Sequence, residues 1–197
     1  MSGFSSAFER LGAALSAIVL QQQETLADYL PREDWSADLT ARSYSSGGVT
    51  VEVSLLGSYA SAERTWLWGW ANAQFGPEHP AVAPTLAVRR MGERLAIPEF
   101  VTPEVDLSWY QGPAAHGGEL IAVAASGLLG AATGRSGGYI GAGYEGGSAY
   151  LQVDDDLVPL ATWDTIPVPR MIMNAMALFP SDPELTLTRF LSHHRVP

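Results

Sequence analysis

Residues 65–72 read TWLWGWAN, and tryptophan at every second position is the strongest pattern in this 197-residue chain. In an extended strand Trp66, Trp68 and Trp70 share one face, because successive side chains point to opposite faces. Each tryptophan can bury about 150–250 Å², so the row can contribute roughly 11–19 kcal/mol of transfer free energy as an upper bound. The pattern therefore predicts a strand whose tryptophan face is covered by a helical layer. A pocket wall and a protein interface are the two alternatives.

Gly69 and Asn72 complete this stretch, and the residues before it predict two neighbouring strands. Gly69 lies on the opposite face, where it allows another segment to approach closely, and Asn72 can fix the end of the strand through its side chain. Earlier strands are predicted at residues 38–44 and 49–55, joined by a Ser-Ser-Gly-Gly turn. Gly57 then interrupts the pattern, which indicates a bulge. The short connections favour an antiparallel meander with the tryptophan strand as its third member.

Helical patterns precede and follow the meander. Apolar residues recur at spacings of three and four over residues 3–29, which predicts a long amphipathic helix that ends before Pro31. The predicted bounds of the other elements are 84–96, 119–132, 169–179 and 183–193 for helices, 99–113 for a loop and 137–153 for a hairpin. Together they predict a single α+β domain over residues 1–197. Its antiparallel sheet has about five strands, with helices packed mainly on one face.

Several of these segments resemble an uncharacterised family of bacterial proteins of about this length. The similarity lies in Leu55-Leu56-Gly57-Ser58-Tyr59, the Trp-x-Trp-x-Trp-Ala-Asn strand ending at Asn72, Ile97-Pro98-Glu99, the segment 125–130 and the hairpin residues Tyr139-Ile140. It covers roughly residues 20 to 155. The resemblance implies a shared fold and a domain of unknown function. It implies no activity, and it assigns no functional residues.

The charge and the missing residue types exclude several functions. The chain carries 11 arginines, 21 aspartates and glutamates, and no lysine or cysteine, which gives a formal net charge of −10. Disulfides, cysteine nucleophiles, thiolate metal sites and lysine Schiff bases are therefore impossible. So acidic a chain lacks the basic surface that nucleic-acid binding needs. No segment has the pattern of a membrane span or of a signal peptide. We therefore expect a cytoplasmic protein with no nucleic-acid or membrane partner.

Motifs for metal, phosphate or catalytic chemistry are weak. The histidines are His79, His116, His193 and His194. They do not form a zinc-binding pattern, and a metal site made by His116 with the acidic turn 154–156 is a minor alternative. Residues 134–138 are rich in glycine, but the lysine of a phosphate-binding loop is missing and the order of helix and strand is reversed. Carboxylates surround Trp109 and Tyr110, as in sugar-processing clefts and on ordinary acidic loops. We expect no metal and no cofactor.

These observations favour a non-enzymatic protein that binds a protein partner or a small ligand. One alternative is an acidic, immunity-type or regulatory protein that neutralises a basic partner by charge-steered association. The other is a hydrolase with a pocket of tryptophan, histidine and carboxylate. The candidate binding residues are Trp66, Trp68, Trp70, Asn72, Trp109, Tyr110 and His116.

Overall fold

The sheet of this protein is curled and antiparallel, and its longest strand connects its two halves. The computed structural model describes residues 3–31, 33–76, 78–112 and 114–196, apart from the side chains of residues 114–116. The strands are β1 (Trp35–Asp38), β2 (Ser43–Ser46), β3 (Val49–Ala60), β4 (Thr65–Trp68), β5 (Glu104–Asp106), β6 (Tyr139–Tyr144) and β7 (Gly147–Val153). They follow the order β1-β2-β3-β4-β5, while β7 pairs with β3 and with β6.

Strand β3 pairs with different neighbours at its two ends. Residues 49–52 pair with β2 and residues 57–60 pair with β4, while β7 pairs with β3 from Val53 to Ala60. The register between β3 and β7 shifts between Leu55 and Gly57, where the sequence predicts a bulge. The β2–β3 turn is the pair Gly47-Gly48, with φ angles of +55° and +79°. Glycine suits a two-residue hairpin turn because it adopts positive φ without strain.

The helices form a layer around the first of them. They are α1 (Ser6–Tyr29), α2 (Ala83–Leu95), α3 (Pro98–Val101), α4 (Ala114–Thr133), α5 (Val168–Leu178) and α6 (Pro183–His193), with short 3₁₀ turns at Gly69–Ala71 and Pro80–Val82. Helix α1 packs against α4, α5 and α6. A Cβ atom added to Gly127 of α4 would lie 2.8 Å from the Cβ of Leu15, so glycine allows these two helices to pack closely.

The main apolar core lies between the sheet and these helices. Phe8 of α1, Trp66 and Trp68 of β4, Phe100 of α3 and Ile121 of α4 are fully buried in one cluster. The α+β fold class with an antiparallel sheet is therefore confirmed, and so are the helices predicted at 3–29, 84–96, 169–179 and 183–193, to within three residues at each end.

Several predicted elements differ from the structure. The sheet has seven strands among the described residues, not about five. The predicted strand 38–44 is wrong because Asp38 accepts hydrogen bonds from the N–H groups of Thr40 and Ala41, at 2.8 and 3.0 Å, and so turns the chain between β1 and β2. The predicted loop 99–113 contains most of α3 and all of β5. Helix α4 begins five residues before the predicted start at 119.

Candidate functional site

The first two tryptophans of the row lie in the core and not in a groove. Trp66 and Trp68 have no exposed surface, and their rings pack edge to face with centroids 5.3 Å apart. The Nε1 of Trp68 donates a hydrogen bond of 2.8 Å to the backbone oxygen of Glu99. Burial of this face supports the predicted packing role, because fully buried rings offer no surface to a ligand.

The third tryptophan leaves the strand. The chain turns into a 3₁₀ helix at Gly69, where an added Cβ would lie 2.4 Å from the backbone oxygen of Leu55. Trp70 is consequently only partly buried, and the guanidinium carbon of Arg89 lies 4.7 Å from its ring centroid. The predicted strand end at residue 72 is therefore wrong. The Asn72 side chain still fixes the turn that follows, since its Oδ1 accepts a 2.9 Å hydrogen bond from Gln74 N.

The remaining predicted site residues lie elsewhere, before and at the start of α4. Trp109 donates from Nε1 to the backbone oxygen of Asp106, at 2.9 Å, and its ring packs edge to face on Phe4. The backbone oxygen of Tyr110 accepts a hydrogen bond from Arg64. His116 is in the first turn of α4, and its side chain lies outside the described residues. Trp70, Trp109 and Tyr110 are partly buried and pack against the core cluster that contains Trp66 and Trp68, so these candidate residues belong to the packing of one apolar core.

A cluster of tyrosines around Glu119 was missed by the sequence analysis. The Oε1 of Glu119 accepts a 3.3 Å hydrogen bond from the hydroxyl of Tyr139. Burial, and then the negative charge of Glu119, raises the pKa of Tyr150 to about 12. The same two causes raise the pKa values of Tyr139 and Tyr110. The hydroxyl of Tyr139 therefore links β6 to Glu119 of α4 as a neutral hydrogen-bond donor.

A better-formed candidate site is a cavity of about 400 Å³ between α2, the end of α4 and β7. Its walls combine apolar side chains with a few polar groups, which is typical of ligand-binding cavities of this size. The residues that line this cavity include Pro84, Ala87, Leu129, Ser136, Gln152 and Asp154. The cavity opens to solvent beside Asp156, an exposed residue that also lines it.

The polar wall of this cavity contains a buried acceptor with no partner. Gln152 is 2 % exposed, and its Nε2 donates to Ser136 Oγ at 3.0 Å and to the backbone oxygen of Val153 at 3.3 Å. Among the described residues, its Oε1 accepts no hydrogen bond. A buried amide oxygen without a donor costs about 1–3 kcal/mol, so this atom favours a ligand or solvent donor in the cavity.

Asp154 provides a second acceptor group on the same wall. Its Oδ2 accepts hydrogen bonds from Arg42 Nη2 at 2.7 Å and from the Ser54 hydroxyl at 2.5 Å. Burial raises the pKa of Asp154, and the Ser54 hydrogen bond and the Arg42 charge act in the opposite direction. Arg42 also pairs with Glu52 at 2.8 Å, so two carboxylates share one guanidinium here.

The glycine-rich stretch lines this cavity, and its arginine is already engaged. Arg135 donates from Nη2 to the backbone oxygens of Asp155, Asp156 and Val158, and its Nε pairs with Asp156 at 2.9 Å. Arg135 therefore holds the acidic turn in place. Among the described side chains, no group of three or more histidines, aspartates and glutamates is arranged to hold a metal ion.

The sequence does contain one signal for this site. Residues 150–153 of β7 are all buried, and Gln152 is the only amide in that run. A buried amide in an apolar strand needs partners, and here they come from Ser136 after α4. The pattern marks Gln152 but does not identify the segment that faces it.

A comparison with protein families finds a match to most of this chain. A model described as a family of unknown function, DUF6882, matches residues 9–156. The chain belongs to this family. The DUF6882 region contains the seven described strands and α1 to α4, except for the first residues of α1. It also includes the described residues that line the cavity around Gln152. Comparison with curated proteins and with solved structures finds no match. The predicted resemblance to an uncharacterised family is confirmed to this extent.

Helices α5 and α6 lie beyond the DUF6882 region, and glutamines within that region hold the segment leading to them. Gln22 accepts a hydrogen bond from Ala161 N at 2.9 Å and donates to the backbone oxygen of Pro159 at 2.9 Å. Gln21 donates to the backbone oxygen of Thr162 at 2.8 Å and contacts His194 Nε2 at 2.7 Å. None of the described helices combines the length and the apolar character needed to cross a lipid bilayer.

Proposed function

We propose that this DUF6882 protein is a non-enzymatic binding protein that takes a small ligand in the cavity around Gln152. We further propose that it is bacterial and cytoplasmic, as the sequence analysis expects. The observation that carries the binding proposal is the buried, unpartnered Oε1 of Gln152, a residue that lines a cavity of about 400 Å³. A ligand that donates a hydrogen bond to this atom removes the cost of leaving it unpaired.

The walls of the cavity define the chemistry of the ligand. Gln152 Oε1 and the carboxylates of Asp154 and Asp156 are acceptors, so the ligand needs N–H or O–H donors. Pro84, Ala87 and Leu129 form an apolar side, which favours a ligand with an apolar part opposite its donors. Small amides, amines and hydroxylated compounds meet both requirements.

The two alternatives have less support. A hydrolase with a tryptophan-lined pocket requires accessible rings, whereas Trp66 and Trp68 are fully buried. Neutralisation of a basic partner rests on the net charge of −10 alone. That charge is spread over helix starts, loops and the turn at 154–156, and no described contact concentrates it on one binding face.

Thermal denaturation with a panel of amino acids, nucleosides and monosaccharides tests the proposal. A compound that binds only the folded state raises Tm in proportion to the logarithm of its concentration above Kd. The test variant is Gln152→Met, which keeps the side-chain length but removes the acceptor, together with the Nε2 donor to Ser136 and Val153. The control is Gln74→Met at an exposed position. We expect stabilisation of the wild type and of Gln74→Met, and its loss in Gln152→Met. Stabilisation that survives Gln152→Met, or a panel that stabilises nothing, contradicts the proposal.

A further inference from the structure

We propose that a second cavity, distinct from the one around Gln152, binds an organic cation with an apolar body, of the quaternary ammonium class. This cavity has a volume of about 440 Å³ and lies between the end of α1, strands β1 and β2, and β6. Leu26, Leu30 and Ile140 form its apolar floor, and all three are buried. Trp35, Tyr44 and Glu33 also line the cavity and supply its aromatic and charged surface.

The aromatic wall offers a tryptophan face to a ligand. Trp35 lies on the edge strand β1 and is 45 % exposed, although tryptophan is highly buried on average. The ring of Trp35 stacks on Tyr44 with centroids 5.7 Å apart and an angle of 15° between the planes. Tyr44 is itself buried and supports the ring from one side, and the exposed part of Trp35 remains open to a ligand. Tryptophan is the aromatic side chain that attracts cations most strongly.

Charge near the cavity also favours a cation. The carboxylate of Glu33 lines the cavity, and its backbone N–H is fixed by a 3.2 Å hydrogen bond to Ser46 Oγ. Within residues 28–38 the sequence has four acidic residues, Asp28, Glu33, Asp34 and Asp38. It has one basic residue, Arg32, which lies outside the described residues. Among these acidic residues Glu33 lines the cavity, and its charge favours an organic cation over a neutral molecule of the same shape.

The polar amide in this cavity is not free to bind an anion. Gln23 donates from Nε2 to the backbone oxygen of Tyr139 at 2.9 Å, and its Oε1 accepts from Tyr139 N at 2.7 Å. The Ser46 hydroxyl donates to the backbone oxygen of Pro31 at 2.8 Å. These two donors are used within the protein, and the side chains that line the cavity beside Gln23 are aromatic rings, aliphatic groups and the carboxylate of Glu33. This combination is the one that recognises alkylated ammonium groups.

Isothermal titration with choline and with its uncharged isostere, in which a tert-butyl group replaces the trimethylammonium group, tests the proposal. The two compounds have the same shape, so their difference measures the effect of charge. We expect choline to bind about tenfold or more tightly than the isostere. The variants are Trp35→Leu, on an exposed edge strand, and Glu33→Gln. Their controls are Trp163→Leu, in the segment before α5, and Glu63→Gln, in the turn after β3.

Each possible result of this titration either supports or contradicts the proposal. The proposal is supported if Trp35→Leu weakens choline binding about tenfold. Glu33→Gln should weaken choline binding several-fold and reduce its dependence on salt. Both control variants should bind choline like the wild type. Equal affinity for choline and the isostere would show a purely apolar cavity and overturn the cation assignment. Unchanged binding in Trp35→Leu, or no binding of choline at millimolar concentration, would overturn the site itself. Circular dichroism of each variant separates lost binding from lost folding.

Discussion

Ser5 and Glu99 are joined by two hydrogen bonds across 94 residues of sequence. The carboxylate of Glu99 accepts from Ser5 N at 2.5 Å and from the Ser5 hydroxyl at 2.7 Å, and Glu99 is only 3 % exposed. Ser5 is the N-cap of α1, and its Oγ accepts from Phe8 N at 3.2 Å. The backbone oxygen of Glu99 also accepts the indole N–H of Trp68. One buried residue therefore links the start of α1 to the tryptophan strand.

Replacing either member of this pair should destabilise the protein, and the two effects should not add. Ser5→Ala removes an N-cap and should cost about 0.5–2 kcal/mol. Glu99→Gln should cost about 1–3 kcal/mol, because the NH₂ group of the amide would face one of the two donors of Ser5. In urea denaturation, the double variant should be more stable than the sum of the single effects predicts, by about 0.5 kcal/mol or more. The control Glu93→Gln breaks only an exposed pair with Arg89. Strict additivity would contradict the direct coupling.

Gly57 should not tolerate a methyl group. A Cβ at this position would lie 2.6 Å from the backbone oxygen of Leu67 and 2.7 Å from the ring of Trp66. Gly57→Ala should therefore cost about 1–3 kcal/mol by overpacking, although alanine usually stabilises a strand relative to glycine. The control is Gly143→Ala in β6, where an added Cβ meets no atom within 4 Å. The midpoint of urea unfolding measures the stability of both variants. An unchanged midpoint in Gly57→Ala would show that β4 can shift.

The protein should lose stability in alkaline solution through Tyr150. Its folded pKa is about 12, whereas an unfolded tyrosine titrates near about 10. Above about pH 10 the unfolded chain releases this proton first, so unfolding is increasingly favoured until about pH 12, by up to about 3 kcal/mol. Because the chain has no lysine, no amine side chain titrates in the same interval. Tyr150→Phe should lose less stability than the wild type between about pH 9 and 11.5 in urea titrations. An identical loss would argue against this assignment.

The C-terminal helices should contribute strongly to stability although they lie outside the DUF6882 region. Phe190 of α6 is fully buried in a cluster with Ala17 of α1 and Met171 of α5. Phe190→Ala should therefore cost about 3–5 kcal/mol. Leu187 on the same helix is 40 % exposed, so Leu187→Ala should change stability by about 0.5 kcal/mol or less. Equal effects of the two substitutions in thermal or urea unfolding would mean that α6 is not packed as described.

The sequence predicts those parts of the fold that have a strong local pattern. The apolar spacing over residues 3–29 predicts α1, and the glycine pair at residues 47–48 predicts the hairpin before β3. The burial of Trp66 and Trp68 follows from the size of their apolar surface. The predicted strand 38–44 is wrong because the side chain of Asp38 provides a turn that periodicity does not show.

The candidate site depends on contacts between segments that are distant in sequence. The turn at Gly69 follows from a close approach to Leu55, so the pattern of alternating tryptophans places Trp70 on the wrong element. The cavity around Gln152 is formed when Ser136 and α2 come together beside β7, and no local spacing encodes that arrangement. Asp154 and the glycine-rich stretch are visible in the sequence as separate features. Their shared cavity is a property of the folded chain.

The position of α1 has a consequence for synthesis on the ribosome. This helix is made before the other described helices, yet it packs against α4, α5 and α6, and its Gln21 contacts His194, 173 residues later. The apolar surface of α1 is therefore fully covered only after the residues of α6, Pro183–His193, have emerged. During that time it is exposed to non-native association. We expect the yield of folded protein to depend on translation rate and on chaperones that hold the early chain.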